Sequence, residues 1–172
     1  MKKRGFFGGS FDPLHFGHIS LAIQLLEQHQ LDEVLFCPVY CSPFKVDYPP
    51  VVSAEHRLKM LEKALQIPQF QISPIEIKRR GVSYTIDTLK ELCQDPHQKI
   101  FLLMSEKNAE GFRHWKKAEE IEKLAPLLIG TTQIQTSSTE IRARLRKNLY
   151  CEHLVPREVL DYIRQHRLYS DG

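Results

Sequence analysis

Short apolar runs alternate along the chain with longer segments in which apolar residues recur every three or four positions. The first run, Arg4 to Gly8, predicts a strand. From Phe16 or Gly17 onward, Ile19, Ala22, Ile23 and Leu26 fall on one face of a helix that reaches about His29. Glu33 to Val39 predicts a second strand, and Pro38, Pro43, Pro49 and Pro50 then impose a long irregular loop. Ser53 is placed to cap a helix through about Gln66, with Leu58, Met60, Leu61 and Leu65 on its buried side. Phe70 to Ile75 predicts a third strand, bracketed by Pro68 and Pro74. A helix over Thr85 to Leu92, a buried strand over Lys99 to Met104, a helix over Trp115 to Leu124 and a short strand over Leu127 to Ile129 follow. Two helices close the chain, Ser138 to Arg146 and Pro156 to about Gln165, the second with proline at the favoured first position. Strands alternating with helices form a parallel sheet covered by helices. The expected fold class is therefore α/β, a doubly wound (Rossmann-like), five-stranded, mainly parallel sheet with helices on both faces.

Composition narrows the class further. A chain of 172 residues with no internal repeat or linker fits one domain over 1–172, and 42% hydrophobic with 26% charged residues is ordinary for a globular protein. The net charge of +3 comes from Lys and Arg scattered among the acids. That distribution speaks against nucleic acid as a partner and suits a small polyanion. Cys37, Cys41, Cys93 and Cys151 form no CxxC pair, so they read as packed thiols in a reducing, cytoplasmic setting and not as a zinc site. After Lys2, Lys3 and Arg4 the apolar run is only Phe6 and Phe7, too short for a signal peptide or a membrane span.

The densest chemical signal is Gly8-Gly9-Ser10-Phe11-Asp12-Pro13-Leu14-His15-Phe16-Gly17-His18, between the first strand and the first helix. Open parallel sheets bind ligands beyond the carboxyl ends of their strands. Gly8 and Gly9 leave room for backbone N–H groups to approach a phosphate, and the positive end of the following helix favours anions. His15 and His18 are three apart, so a helix begun by His15 brings both rings out on one face. Imidazoles there can donate to the oxygens of a pentacoordinate phosphorus and hold a proton near neutral pH. Two unrelated histidines at a helix start are the alternative; the glycines and Phe11-Asp12-Pro13 in front of them weigh against it.

Far downstream, Ser137-Ser138-Thr139-Glu140-Ile141-Arg142 reads as a capping box in which Ser137 accepts from the helix and Glu140 reaches back. Such a start also makes a phosphate cradle, and Arg142, one turn inside, can grip two phosphate oxygens. Arg144 and Arg146 read as solvated surface. Lys45, in Pro43-Phe44-Lys45 on the proline-rich loop, is either an exposed lysine without a role or a mobile point charge that reaches an anion.

The first segment resembles the signature of the HxGH nucleotidyltransferases, and within them the small-molecule adenylyltransferases. Ser137 to Arg142 is similar to the motif with which those enzymes hold the phosphates of ATP, and the resemblance favours the functional reading of Lys45. Ser83-Tyr84-Thr85-Ile86-Asp87-Thr88-Leu89, followed by Trp115, resembles the nicotinate mononucleotide adenylyltransferase family, as do His56-Arg57-Leu58 and the stretch from Leu154 to Ile163. The resemblance implies ATP bound by Gly8, Gly9, Ser10, Phe11, Ser137, Ser138 and Thr139. It implies His15, His18, Lys45 and Arg142 as catalytic residues. Tyr84 and Thr85 would meet the carboxylate of a mononucleotide acceptor, Trp115 would stack on its pyridine ring, and Glu106 would contact a ribose. Mg²⁺ is expected to arrive with ATP, with no metal held by the protein. The chain departs from the family pattern at Thr136, at Phe44 where His is common, and at Met104-Ser105-Glu106, which replaces Gly-x-Asp; the segment from Trp115 to Ser137 is also short. These departures keep phosphopantetheine open as acceptor, and a non-catalytic nucleotide-binding module remains the reading from a different class.

Overall fold

The computed structural model describes residues 1–170. The elements run β1 (Lys2–Gly9), α1 (Phe16–Gln28), β2 (Glu33–Pro38), α2 (Ala54–Ala64), β3 (Phe70–Ile72), α3 (Ile75–Arg79) and α4 (Thr85–Leu92). They continue with β4 (Gln98–Ser105), α5 (Glu106–Glu110), a 3₁₀ turn (Phe112–His114), α6 (Ala118–Leu124), β5 (Leu127–Gly130), α7 (Ser138–Arg146) and α8 (Arg157–Gln165). The five strands form one sheet in the order β3-β2-β1-β4-β5, and every neighbouring pair is parallel. The sheet is wholly parallel, because each connection between successive strands carries a helix across the sheet and none is a tight hairpin. The chain winds outward from β1 through β2 to β3, then returns to the other side for β4 and β5. The switch point therefore lies between the carboxyl ends of β1 and β4.

Alternation along β1 divides the core. Phe6 faces Ile86 and Leu89 of α4, Ile100 and Leu102 of β4, and Ile121 of α6. Phe7 faces the opposite layer, with Leu21 and Leu25 of α1, Leu61 of α2 and Phe36 of β2. Met60 of α2, Ile141 of α7, and Val159, Leu160 and Ile163 of α8 form a third cluster that fastens the end of the chain to α2. Burying each of these large side chains contributes about 1.5–3 kcal/mol.

Several boundaries differ from those the sequence predicts. β2 ends at Pro38, one residue before Val39, and α2 ends at Ala64, short of Gln66. β3 stops at Ile72, because Pro74 has no N–H for a ladder; it precedes α3, whose first residue is the Ile75 expected to end the strand. The helix expected from Trp115 begins only at Ala118. Trp115 instead closes the 3₁₀ turn, and Lys117 in the left-handed region (φ 59°) separates the two. Pro156 caps α8 from outside instead of forming its first residue. The short α5 was not foreseen, although Ser105 is a good cap and accepts from the Asn108 N–H at 3.3 Å. Among the described residues no helix is long and apolar enough to cross a membrane.

Candidate active site

β1 delivers the chain to the switch point at Gly9, where a tight turn begins. Phe11 takes a left-handed backbone (φ 48°) that folds its buried ring back between Phe7 and Phe36, at 5.8 and 5.7 Å, with His18 at 5.0 Å. A side chain at Gly9 would place its Cβ 3.0 Å from that ring, so the residue must be small. Two buried polar side chains hold the turn. Arg57 donates to the carbonyls of Ser10 (2.8 Å), Val39 (2.7 Å) and Tyr40 (3.4 Å), which fastens the ends of β1 and β2 together. Asp12 accepts from the Val51 N–H at 2.7 Å and from the Tyr169 hydroxyl at 2.6 Å. Neither side chain's role follows from the sequence motifs. The available signal was a charged residue among the apolar positions of α2, whose partners are main-chain carbonyls with no sequence signature.

α1 starts at Phe16, so His15 is its cap residue, in an extended conformation, and does not lie within the helix as the spacing argument assumed. The two imidazoles nevertheless meet, stacked with centroids 3.7 Å apart and planes inclined at 28°. The His15 backbone N–H donates to His18 Nδ1 at 3.3 Å. An accepting Nδ1 carries no proton, so neutral His18 presents Nε2–H as its donor. Gly17 permits this crowding: a Cβ there would lie 2.9 Å from His15 Nδ1 and 3.2 Å from the Ile134 carbonyl.

Burial holds the His15 pKa down to about 4. His18 is driven well below its ordinary value, first by burial and then by the neighbouring positive charges of His15 and Lys45. Both rings are therefore neutral hydrogen-bonding groups at neutral pH in the ligand-free protein. Because folding lowers both pKa values, the unfolded chain binds more protons below about pH 6.5, and stability falls as pH drops from there toward 4. Urea unfolding at a series of pH values should show that loss in the wild type and a smaller loss in His15→Gln/His18→Gln; equal slopes would contradict it.

The second segment joins the first directly. Ser137 caps α7, accepting from the Glu140 N–H at 3.1 Å, and Ser138 donates to the Pro13 carbonyl at 2.9 Å. Arg142 donates from Nη1 to the Asp12 carbonyl at 2.8 Å and from Nη2 to Thr139 Oγ1 at 3.2 Å. The late helix start thus packs on the turn that leads into the His pair. Arg144 lies at the surface, where it donates twice to the Tyr150 carbonyl, at 2.8 and 3.1 Å, and ties α7 to the following loop.

Tyr84 caps α4 and Thr85 is its first residue. The segment before them is pinned beyond the end of β2, with Ser83 N–H donating to the Cys41 carbonyl at 2.8 Å and Tyr40 N–H to Ser83 Oγ at 3.0 Å. Trp115 is half-buried against Phe112, with the exposed Phe44 ring 6.0 Å away, and Lys116 covers the Tyr84 ring at 4.0 Å. Phe44, Trp115, Lys116 and Tyr84 thereby draw the proline-rich loop, the 3₁₀ turn and the start of α4 together. Lys45, next to Phe44, lies close enough to influence His18. Glu106, the first residue of α5, is engaged by Thr131, whose hydroxyl donates to it at 3.0 Å.

A cytidylyltransferase-like family model matches residues 6–144. A probable nicotinate-nucleotide adenylyltransferase of Methylacidiphilum infernorum is 33% identical over 184 residues, covering 95% of this chain and 90% of the relative. One from Streptococcus mutans is 36% identical over 188 residues, with 98% and 89% covered. Among solved structures, a putative nicotinate-nucleotide adenylyltransferase from Vibrio parahaemolyticus superposes with a TM-score of 0.84 at 22% identity, covering 100% of this chain and 98% of that one. A Plasmodium falciparum nicotinic acid mononucleotide adenylyltransferase superposes at 0.77 with 17% identity, covering 98% of each chain. Those two likenesses concern the fold, which is the same. With the family model spanning most of the chain and relatives above 30% identity along nearly all of it, this chain belongs to the nicotinate-nucleotide adenylyltransferase family of nucleotidyltransferases.

Proposed function

We propose that this chain transfers the adenylyl group of ATP to nicotinate mononucleotide, forming deamido-NAD and pyrophosphate for NAD biosynthesis in the cytoplasm. The single observation that carries the reading is the junction of the two anion-binding segments, through Ser138 to Pro13 and Arg142 to Asp12, beside the stacked His15 and His18. The triphosphate lies between the turn from Gly8 through Gly9 and Ser10 to Phe11 and the start of α7 at Ser137, Ser138 and Thr139. An oxygen of the acceptor's 5'-phosphate attacks the α-phosphorus in line, the bond from that phosphorus to the bridging oxygen breaks, and pyrophosphate leaves. His18 Nε2–H, His15, Lys45 and Arg142 stabilise the charge that spreads over the transferring group, and fixed positioning supplies much of the rest.

Among the described residues no three His, Cys, Asp or Glu side chains converge as a metal site. In this reading Mg²⁺ travels with ATP, and phosphate and water oxygens supply its ligands. Tyr84 and Thr85 receive the pyridine carboxylate at the start of α4, Trp115 stacks on the ring, and Glu106 contacts a ribose. The relatives' names support this acceptor, as does the Plasmodium falciparum structure, which is described as a complex with NaAD.

A pyrophosphate-release assay with ATP and a panel of nicotinate mononucleotide, nicotinamide mononucleotide and phosphopantetheine tests the assignment. The first should give the highest kcat/KM; a preference for phosphopantetheine would replace it, and no release with any acceptor would leave a binding module. Trp115→Ala should raise the acceptor KM by about tenfold, the loss of one good stacking contact, and leave the KM for ATP within about twofold. The opposite pattern would remove Trp115 from the acceptor site.

A further inference from the structure

We propose that the Tyr169 hydroxyl is a positioning group for ATP: by holding Oδ1 of Asp12 it fixes the carboxylate so that the ion pair of Oδ2 with Arg142 stays at 3.9 Å and does not tighten into a hydrogen-bonded pair, which leaves the guanidinium available to the triphosphate. The inference rests on the reading of Arg142 as a phosphate contact.

Tyr169 and Asp12 are 157 residues apart in the chain, yet both are buried and their bond is 2.6 Å long. Val51 N–H occupies the other carboxylate oxygen at 2.7 Å. Each oxygen of Asp12 therefore has an uncharged donor. Arg142 stands directly alongside, bonded to the Asp12 main-chain carbonyl at 2.8 Å, but its Nη1 is 3.9 Å from Oδ2, beyond hydrogen-bond distance. A bidentate, charge-assisted pair is the strongest interaction a guanidinium makes with a carboxylate, and this ion pair stops short of it. Each carboxylate oxygen has a second lone pair, so the two neutral donors do not fill the acceptor; they fix the orientation of the carboxylate, and Oδ2 stays out of hydrogen-bond reach of the guanidinium.

The tyrosine is suited to this task. Burial, with the negative charge of Asp12 beside it, pushes its pKa upward, so the phenol keeps its proton and remains a donor. Tyr169 has a left-handed backbone (φ 60°), which turns the chain beyond α8 back toward the turn after β1. The C-terminal part of the chain grips that turn a second time, through Phe16 N–H donating to the Leu154 carbonyl at 2.9 Å. These late residues thus bear on the turn that leads into the His pair and, through Asp12, on Arg142.

Tyr169→Phe keeps the ring in place and removes only the hydroxyl. Calorimetric titration with ATP, in the absence of acceptor, should show affinity about tenfold weaker, the size expected when a charge-assisted contact is compromised. The KM for ATP should rise with it while the acceptor KM stays within about twofold. Asp12→Asn in the Tyr169→Phe background removes the charge that would capture Arg142, and should restore ATP affinity to within about threefold of wild type. Arg142→Ala belongs in the same series. If it binds ATP as wild type does, Arg142 does not meet the phosphates, and this proposal falls with that role. If Arg142→Ala is weakened while Tyr169→Phe binds normally and only unfolds at lower temperature, Tyr169 is a structural anchor and the proposal alone is overturned. A weakened Tyr169→Phe that Asp12→Asn does not restore would also overturn it, because the route through the Asp12 charge would be wrong. Should Tyr169→Phe fail to fold, Asp12→Asn alone decides: affinity for ATP equal to or tighter than wild type supports the proposal, and weaker affinity overturns it.

Discussion

His18→Ala should lower kcat by about 10²- to 10³-fold, the usual consequence of deleting one preorganised donor to charge that develops in a transition state. The argument starts from the His15 N–H to His18 Nδ1 bond, which fixes the tautomer and leaves Nε2–H as the donor. Packing between the Phe11 and His15 rings fixes the direction of that donor before substrate arrives, so no reorganisation is needed during reaction. Folding should be affected much less than turnover, because the ring keeps some exposure and its removal leaves a single hydrogen bond unmade, the one from the His15 N–H. The measurement is kcat at saturating ATP and acceptor, alongside the thermal unfolding midpoint. Turnover within about threefold of wild type would take His18 out of the mechanism, and a collapse of the midpoint with kcat would make it a structural residue.

Arg57→Leu should produce the largest loss of stability, about 3 kcal/mol or more, because it strands the carbonyls of Ser10, Val39 and Tyr40 without a donor, each at a cost of about 1–3 kcal/mol. For a protein of this size that corresponds to a fall of roughly 6–12 °C in the unfolding midpoint. Arg57→Lys should recover part of it, since one ammonium cannot reproduce the fixed fork of a guanidinium. Activity should fall in both variants, because the Ser10 carbonyl belongs to the turn that leads to the His pair. Circular dichroism melts of the three proteins give the order directly. An Arg57→Leu midpoint within about 2 °C of wild type would mean that water satisfies those carbonyls.

The site was legible in proportion to how local its chemistry is. The turn from Gly8 to His18 and the helix start at Ser137 are runs of neighbouring residues whose small size, capping oxygens and imidazoles have a meaning at fixed spacing. The direct bonds from Ser138 and Arg142 to the early turn bring the two together. Tyr84, Thr85 and Trp115 are singled out by resemblance alone. Their grouping with Phe44 is not legible in the sequence, because it depends on where the proline-rich loop comes to rest. Arg57, Asp12 and Tyr169 lay outside reach for the same reason, since their partners are carbonyls and N–H groups far away in sequence. The surface position of Arg144 is legible in the helical period, but its bonds to the Tyr150 carbonyl are not, because they depend on the course of the following loop.

By itself, the sequence determined the alternation of strands and helices, the caps at Ser53 and Ser137, and the two segments, Gly8 to His18 and Ser137 to Arg142, that the proposed function assigns to ATP. Those properties follow from side-chain period, backbone freedom and capping groups acting over a few residues. Only the tertiary structure decided that His15 caps its helix while still stacking on His18, that Trp115 ends a 3₁₀ turn, and that a tyrosine near the C-terminus holds the aspartate of the first turn. A buried polar group takes whichever partner the packed core brings within about 3 Å, and that distance is set by the docking of whole elements and not by the neighbours of the residue in the chain.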